Sequence, residues 1–497
     1  MKHTLPDNII LQLSGFIASN LALNFPKERW DDLERNIISA AKEFGYDDVE
    51  KFILHIMSSP LTHERMEVLA SNLTISETYF WREPQTFEAL EQIIIPELIR
   101  QRQKGEKRIR IWSAGCSTGE EPYSIAIALN RFIPDIKDWN ISILATDINP
   151  RVLRKATTGE YGQWSFRGTP QWLKEKYFLQ KTNNKLEIIP EIKRMVNYEY
   201  LNLAEDIYPS SLNNTNAMDI IYCRNVLMYF TQDRFRQIAR RLYNSLVQDG
   251  YLVVSASELS LQNFPDFMPV NIPGMVIYQK STKKIKNQYK FTIKETPPEP
   301  VLFQMPPEPE QPIESIKSQP REIENEILKT KDISKQIISV YEKSLKSYLQ
   351  GNYSEAIDKL QKEVQTAEEQ LLLIRAFANQ GKLTDALKTC EKAIAANKLD
   401  PRLHYLYATI LQENNQLDEA VASLKRATYL DSNFVLSYYS LGNIYQQLGH
   451  VKNAKKQYEI VLSILNKCSQ EDILFESDGL TAGRFREIIN ASLLASA

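Results

Sequence analysis

The chain has 497 residues, enough for roughly two to four domains with ample core, and 60 Lys and Arg against 62 Asp and Glu leave a net charge of −2 that gives no reason to expect nucleic acid. Its four cysteines, Cys116, Cys223, Cys390 and Cys468, are far apart with no CxxC, so neither a zinc site nor a disulfide framework is indicated and no metal is expected. The N-terminus lacks the apolar region of a signal peptide and no apolar run could span a bilayer, so the expectation is a cytoplasmic protein without membrane insertion.

Residues 1–80 read as a small helical domain, because Trp30, Leu33, Ile37, Ile38 and Ala41, and then Val49, Phe52, Ile53 and Ile56, recur at helical spacing. The mixed charges of 27–43 read as a solvated face. An aromatic stretch comes next, Ser76-Glu77-Thr78-Tyr79-Phe80-Trp81-Arg82-Glu83. Its arginine can reach back over a neighbouring loop as a fixed cation for an anionic substrate.

From 81 to 282 the pattern is α/β. Residues 108–127, RIRIWSAGCSTGEEPYSIAI, read as strand, tight turn and helix. Gly115 and Gly119 allow a sharp turn and close approach to a ligand, Ser117 or Thr118 can cap the helix, and Pro122 suits its first turn. A phosphate loop needs Lys-Ser or Lys-Thr after the second glycine. Glu120 and Glu121 stand there instead and would repel a phosphate. The ligand should carry an amine or other cation, and S-adenosylmethionine fits. The same letters match the GxSxG of serine hydrolases, but no histidine lies between His63 and His404, so a triad within this domain lacks its base.

Residues 141–147 form an apolar strand ending in Asp147, where Rossmann-like folds hold ribose hydroxyls; the plainer reading is an N-cap ahead of Pro150. Residues 158–195 break the alternation, and 159–162, 177–179 and 186–189 read as a small antiparallel insertion with turn residues Asn183 and Asn184. The main sheet resumes at 196–203 and again at 219–230, where polar Arg224 and Asn225 fall at a strand's carboxyl end and so line the crevice. A helix at 232–247 and strands at 250–255 and 275–278 complete the domain.

SETYFWRE, IWSAGCSTGEEPYSIA, ATDI, LNL, CRNVLMYF and SASE, in this order, resemble the chemoreceptor methyltransferase (CheR-type) family over about residues 10–282. The resemblance implies methyl transfer from S-adenosylmethionine to receptor glutamates, giving glutamate methyl esters and S-adenosylhomocysteine. It carries the family's cofactor contacts to Thr78, Arg82, Glu121, Asp147, Asn202, Leu203, Arg224 and Asn225. Ser76 joins them where the family has Asn, which shortens one polar contact. Arg82 and Tyr229 correspond to the catalytic residues nearest the transferring methyl. Trp81 replaces a Phe. The loop 180–185 is shorter than in members that tether to a receptor's C-terminal pentapeptide, and 27–43 are less basic than the family's receptor-binding helix, so such tethering is not expected.

Residues 283–330, rich in Pro, Glu and Gln, read as an extended linker. In 331–470, Gly351, Gly381, Asn415 and Gly449 share one inter-helix turn position, and Ala356, Ala386, Ala420 and Ala454 stand five residues on. The last three turns are spaced by 34, the tetratricopeptide period, and Ala393, Ala408, Ala427 and Gly442 fill small-residue positions. This resembles about four tetratricopeptide repeats, whose concave face binds proteins or peptides, with 471–497 as a cap. The linker is expected to hold the repeats away from the catalytic crevice, with few contacts across it.

The expected architecture is an α/β Rossmann-like class I methyltransferase domain with a small antiparallel β insertion, preceded by a small helical domain and followed by an all-α tetratricopeptide solenoid. The expected activity is that of a protein-glutamate O-methyltransferase acting on the cytoplasmic domain of a chemoreceptor or other methyl-accepting protein, with the repeats recruiting or regulating through a protein partner. The alternatives are an S-adenosylmethionine-sensing scaffold without catalysis, and a methyltransferase for another carboxylate.

Overall fold

The computed structural model describes residues 5–495 apart from 59–62, 75, 103–105, 182–183, 205–207, 211–212, 273, 282–339, 363–365 and 478–479. The expected linker, 283–330, and Asn183 of the expected turn lie outside the described residues. Helices α1 (Asp7–Leu21), α2 (Trp30–Glu43), α3 (Val49–Ser58) and α4 (His63–Leu73) come first. Their apolar stripes meet in one core of Leu13, Ile17, Leu33, Ile37, Phe52 and Ile56. Then α5 (Pro84–Ala89) runs through one π-helical turn into α6 (Ile95–Arg102).

The central α/β layer begins with β1 (Arg108–Ala114), α7 (Glu120–Phe132), β2 (Asn140–Asp147) and α8 (Pro150–Thr158). The insertion holds β3 (Glu160–Tyr161), α9 (Gln171–Tyr177), β4 (Phe178–Gln180) and β5 (Leu186–Ile188), paired antiparallel in the order β3-β5-β4. After α10 (Pro190–Lys193) come β6 (Val196–Tyr200), β7 (Met218–Tyr222), α11 (Gln232–Ser245), β8 (Leu246–Val253), β9 (Met268–Ile272) and β10 (Met275–Gln279). The strand order is β6-β2-β1-β7-β8-β10-β9, parallel except for the last two strands. Every residue of β1 is buried, as a central parallel strand covered on both faces requires. Ile109 and Ile111 pack toward α7, while Trp112 and Ala114 point into the second core beneath α11.

Three local expectations give way. No side chain caps α7: its N-cap is Gly119, Ser117 Oγ donates to the Ser76 carbonyl, and Thr118 Oγ1 donates to Glu120. The helix expected to reach Val247 ends at Ser245, and β8 starts four residues before the predicted strand. The strand β9 was not anticipated; it carries Pro269, which is tolerated because β9 is the sheet edge.

The repeats are four helix pairs: α12 (Val340–Leu349) with α13 (Tyr353–Leu360), α14 (Ala367–Asn379) with α15 (Leu383–Ala396), α16 (Pro401–Glu413) with α17 (Leu417–Leu430), and α18 (Val435–Gln447) with α19 (Val451–Leu465). A final helix, α20 (Ala482–Ala495), closes the array. The four turn residues all take left-handed backbone, with φ between 59° and 76°, and Ala356, Ala386, Ala420 and Ala454 are buried where paired helices cross.

The expectation of few contacts between the modules is overturned. Glu413, at the end of α16, ion-pairs with Arg108 at 3.3 Å and Arg110 at 2.7 Å, and all three side chains are at most 5% exposed. Asn216 Nδ2 donates to the same carboxylate at 2.8 Å, and Asn140 Nδ2 donates to the Glu413 carbonyl at 3.2 Å. Gly381 and Gly351 lie so close to Arg108 and Asn244 that a Cβ would come within 2.9 Å and 2.2 Å of them. At the far end α20 packs on α8 and β6, with the Arg484 guanidinium 5.4 Å from the Tyr200 ring. A Pro-rich sequence describes the covalent link and says nothing about how two folded surfaces fit.

Candidate active site

The cleft opens at the carboxyl ends of β1, β2, β6 and β7 and has a volume of about 1040 Å³. The turn after β1 is fastened to β2, since Gly115 and Cys116 donate their N–H groups to the Thr146 carbonyl at 2.8 and 2.9 Å. Both glycines are needed for closeness as well as for positive φ. A Cβ on Gly115 would lie 2.4 Å from Val226, and one on Gly119 would lie 2.6 Å from the Tyr198 hydroxyl.

Asp147 ends β2 and accepts N–H bonds from Ser117 at 2.8 Å and Asn149 at 2.9 Å. The helix-capping alternative fails, because the cap of α8 is Asn149, whose Oδ1 accepts from Arg151 and Val152. Asp147 keeps partial access to the cleft, but the protein around it pushes its pKa up to about 6 despite these backbone donors. Glu121 accepts from Ser113 Oγ at 2.8 Å and faces Arg224 Nη1 at 3.1 Å. Burial pulls the Arg224 guanidinium down, yet Glu121 and Glu83 hold it above its ordinary value. Glu120, beside it in sequence, is buried and bonded to Ser165 of the insertion at 2.8 Å, so it ties the insertion to the loop and stays out of the cleft.

Backbone strain collects here. Trp81, Glu83, Ser117 and Asn225 have φ of 62°, 57°, 50° and 58°, conformations that cost about 1–3 kcal/mol each for most side chains. Trp81 is held by its N–H to Ser124 Oγ at 3.0 Å. Asn225 is held by Glu258, whose buried carboxylate accepts the N–H groups of Asn225, Val226, Leu227 and Met228 at 2.7–3.3 Å. This fan of bonds aims the Arg224–Tyr229 loop. The sequence motif SASE contained Glu258, and its S-x-x-E spacing forms a capping box with Ser255, but that spacing does not announce the four backbone donors of the neighbouring loop. Glu258→Gln should lower thermal stability by about 1.5–3 kcal/mol, because one amide oxygen and two donors cannot replace four accepted bonds. A denaturation midpoint equal to that of the parent would show that the loop holds itself.

The helical domain forms one wall. Leu21 and Leu23 line the cleft, Asn24 N–H donates to the Tyr229 carbonyl at 2.7 Å, and the Arg29 guanidinium lies 5.2 Å from the Tyr229 ring. Burial raises the Tyr229 phenol, so it stays protonated at neutral pH. Arg82 Nη1 donates to the Glu77 carbonyl at 3.1 Å, and its own carbonyl accepts from Arg224 at 2.9 Å. All of the expected site residues, Ser76, Thr78, Arg82, Glu121, Asp147, Asn202, Leu203, Arg224, Asn225 and Tyr229, line this one cleft. Leu21, Leu23, Phe87 and Ser124 line it too and were not expected, since isolated apolar residues and a serine inside a helix give no sign that they face a ligand.

A glycine turn at the end of β1, two acids facing the cleft, and a parallel sheet capped by an antiparallel pair are the features of an S-adenosylmethionine-dependent methyltransferase of the Rossmann-like class. Residues 76–273 match the family described as "CheR methyltransferase, SAM binding domain", and 389–422, 408–449 and 435–464 match tetratricopeptide repeat families. The chain is 32% identical over 249 residues to the chemotaxis protein methyltransferase of Borreliella burgdorferi, covering 50% of this chain and 86% of that one. It is 35% identical over 219 residues to chemotaxis protein methyltransferase 1 of Pseudomonas aeruginosa, covering 43% and 77%. With the probable biofilm formation methyltransferase WspC of the same organism it shares 26% over 251 residues, covering 50% and 57%. The chain belongs to the CheR methyltransferase family, with tetratricopeptide repeats appended, and its methyl donor is S-adenosylmethionine.

Proposed function

We propose that this protein methylates glutamate side-chain carboxylates of a chemoreceptor-type protein in the cytoplasm, and that the repeats recruit or regulate through a protein partner. The observation that carries this reading is the company Arg82 and Tyr229 keep: they share the cleft with Glu121 and Asp147, and no histidine lines it among the described residues. A glutamate substrate, with pKa near 4.3, is already ionised at neutral pH and needs no general base. The Borreliella and Pseudomonas relatives are named chemotaxis protein methyltransferases, which supports a substrate in chemotaxis signalling. Among the described residues no helix is long and apolar enough to cross a membrane.

S-adenosylmethionine, when bound, supplies a methyl group made electrophilic by its sulfonium. The donor set fits it. Glu121 spends one lone pair per oxygen on Ser113 and Arg224 and retains capacity for an ammonium, while Asp147 can accept ribose hydroxyls. Asn202, Leu203, Arg224 and Asn225 line the same cleft, with Arg224 beside Glu121. Arg82 orients the substrate carboxylate and Tyr229 walls the methyl pocket; alignment of this kind is worth about 7–11 kcal/mol of barrier. The test is incubation of the full chain with labelled S-adenosylmethionine and receptor. Base-labile label on receptor glutamates, located by mass spectrometry, is expected. Cofactor binding without any such label would leave only the sensing role.

The raised Asp147 pKa gives a pH dependence. Ribose hydroxyls donate to the ionised carboxylate, so binding is strongest above pH 6 and weakens as the pH falls through about 6 and the carboxyl takes up a proton. Titrations with S-adenosylhomocysteine from pH 5 to 8 should follow this step, and Asp147→Asn should bind about tenfold more weakly at pH 7.5 with the step removed. A step retained in Asp147→Asn would assign it to another group.

A further inference from the structure

We propose that the polar cavity between the catalytic module and the repeats is a second binding site, for a small phosphate-bearing metabolite. The cavity holds about 700 Å³ beneath the amino ends of β1 and β2, where the turns of the third and fourth repeats meet the sheet. It is lined by Arg108, Arg110 and Arg194 with the amides of Asn197, Asn415 and Gln447, and among the described residues these three amides engage no protein group. Domain interfaces are a common place for small-molecule sites. The cofactor cleft sits at the other end of β1, about 20 Å away for a strand of this length.

The charge does not close on itself. Arg102 pairs with Asp219, which also accepts the Arg110 N–H, and Arg108 and Arg110 share the single carboxylate of Glu413. Three guanidiniums thus face two carboxylates, and Arg194 adds a fourth cation at the rim. Arg110 Nη1 lies 2.7 Å from Glu413 but is not aligned as a hydrogen bond, so its donors are not used up. Glu199, also on the cavity, carries only part of a charge at neutral pH, because burial pushes it up to about 7. Burial, with help from Arg110 and Arg102, outweighs Glu413 and Asp219 and leaves Arg108 below its ordinary value. A buried cationic excess of this kind is relieved by an anion. Phosphate matches it best, since its oxygens take guanidinium forks in pairs, and the surrounding amides suit the hydroxyls of a sugar.

The experiment uses the full chain saturated with S-adenosylhomocysteine, so that the cofactor cleft is filled, and ribose 5-phosphate, inorganic phosphate and ribose as probes at constant ionic strength. Ribose 5-phosphate should bind saturably by calorimetry and raise the melting temperature, phosphate should do so more weakly, and ribose should do neither. Arg194→Gln, at an exposed residue, should weaken ribose 5-phosphate by about tenfold, and Gln447→Ala by a smaller factor, with S-adenosylhomocysteine affinity unchanged in both. The proposal falls if ribose 5-phosphate shows no saturable binding at millimolar concentration, or if its affinity is the same in both variants and the parent.

Discussion

Arg82→Ala is expected to lower methyl transfer by about 10²–10³-fold while weakening S-adenosylhomocysteine only a few-fold, because the side chain's proposed partner is the substrate carboxylate. The structure makes this separation testable. The cofactor-facing pair Glu121 and Arg224 is anchored to Arg82 through its backbone carbonyl, which alanine retains. The guanidinium itself uses one of its five donors on the Glu77 carbonyl, which leaves a fork for a carboxylate. Arg82→Lys keeps the charge and loses the fork, so it should recover little, perceptible mainly as a higher KM. Full activity in Arg82→Lys would mean that charge alone suffices there; equal losses of cofactor affinity and turnover in Arg82→Ala would move Arg82 to the cofactor.

Those parts of the site that declare themselves in the sequence are the ones whose chemistry needs a residue type at a fixed spacing. A turn this tight wants Gly115 and Gly119, and the proposed amine and ribose contacts want acids at Glu121 and at the end of the second strand; Gly115, Glu121 and Asp147 all line the cleft. Helical turns repeated at 34 residues were legible for the same reason. The hidden parts depend on partners distant in the chain. Glu258 shows by its spacing only a capping box with Ser255, not the four backbone N–H groups of residues 225–228 that converge on it. Ser117 and Thr118 have good capping chemistry, but Ser76 and Glu120 claim their hydroxyls first. Arg108 and Arg110 read as ordinary charges at a strand entrance, and nothing within 300 residues of them announces Glu413.

That last contact sets how firmly the modules hold together: changing one residue of the repeats should undo as much of their docking as deleting them all. The two modules meet through ion pairs, glycine turns and the flank of α20. A chain ending at residue 281 keeps its cores, and Arg108 and Arg110 simply become hydrated. It should fold and bind S-adenosylhomocysteine like the full chain. Glu413→Ala leaves both guanidiniums under the docked repeats without their carboxylate, and removal of one partner from a buried ion pair typically costs about 3–5 kcal/mol. The repeats must then either dock on uncompensated charge or come away. Hydrogen exchange should accelerate at the start of β1, and the full-length variant should melt below the parent but no lower than the 281-residue chain, because repeats that come away leave Arg108 and Arg110 as hydrated as truncation does. Replacing all three residues by apolar ones, Arg108→Met, Arg110→Leu and Glu413→Met, should recover most of the loss, since an apolar trio of similar volume removes the desolvation cost along with the attraction. A Glu413→Ala chain with unchanged melting and unchanged exchange at β1 would show that α20 and the glycine turns hold the modules together without this cluster.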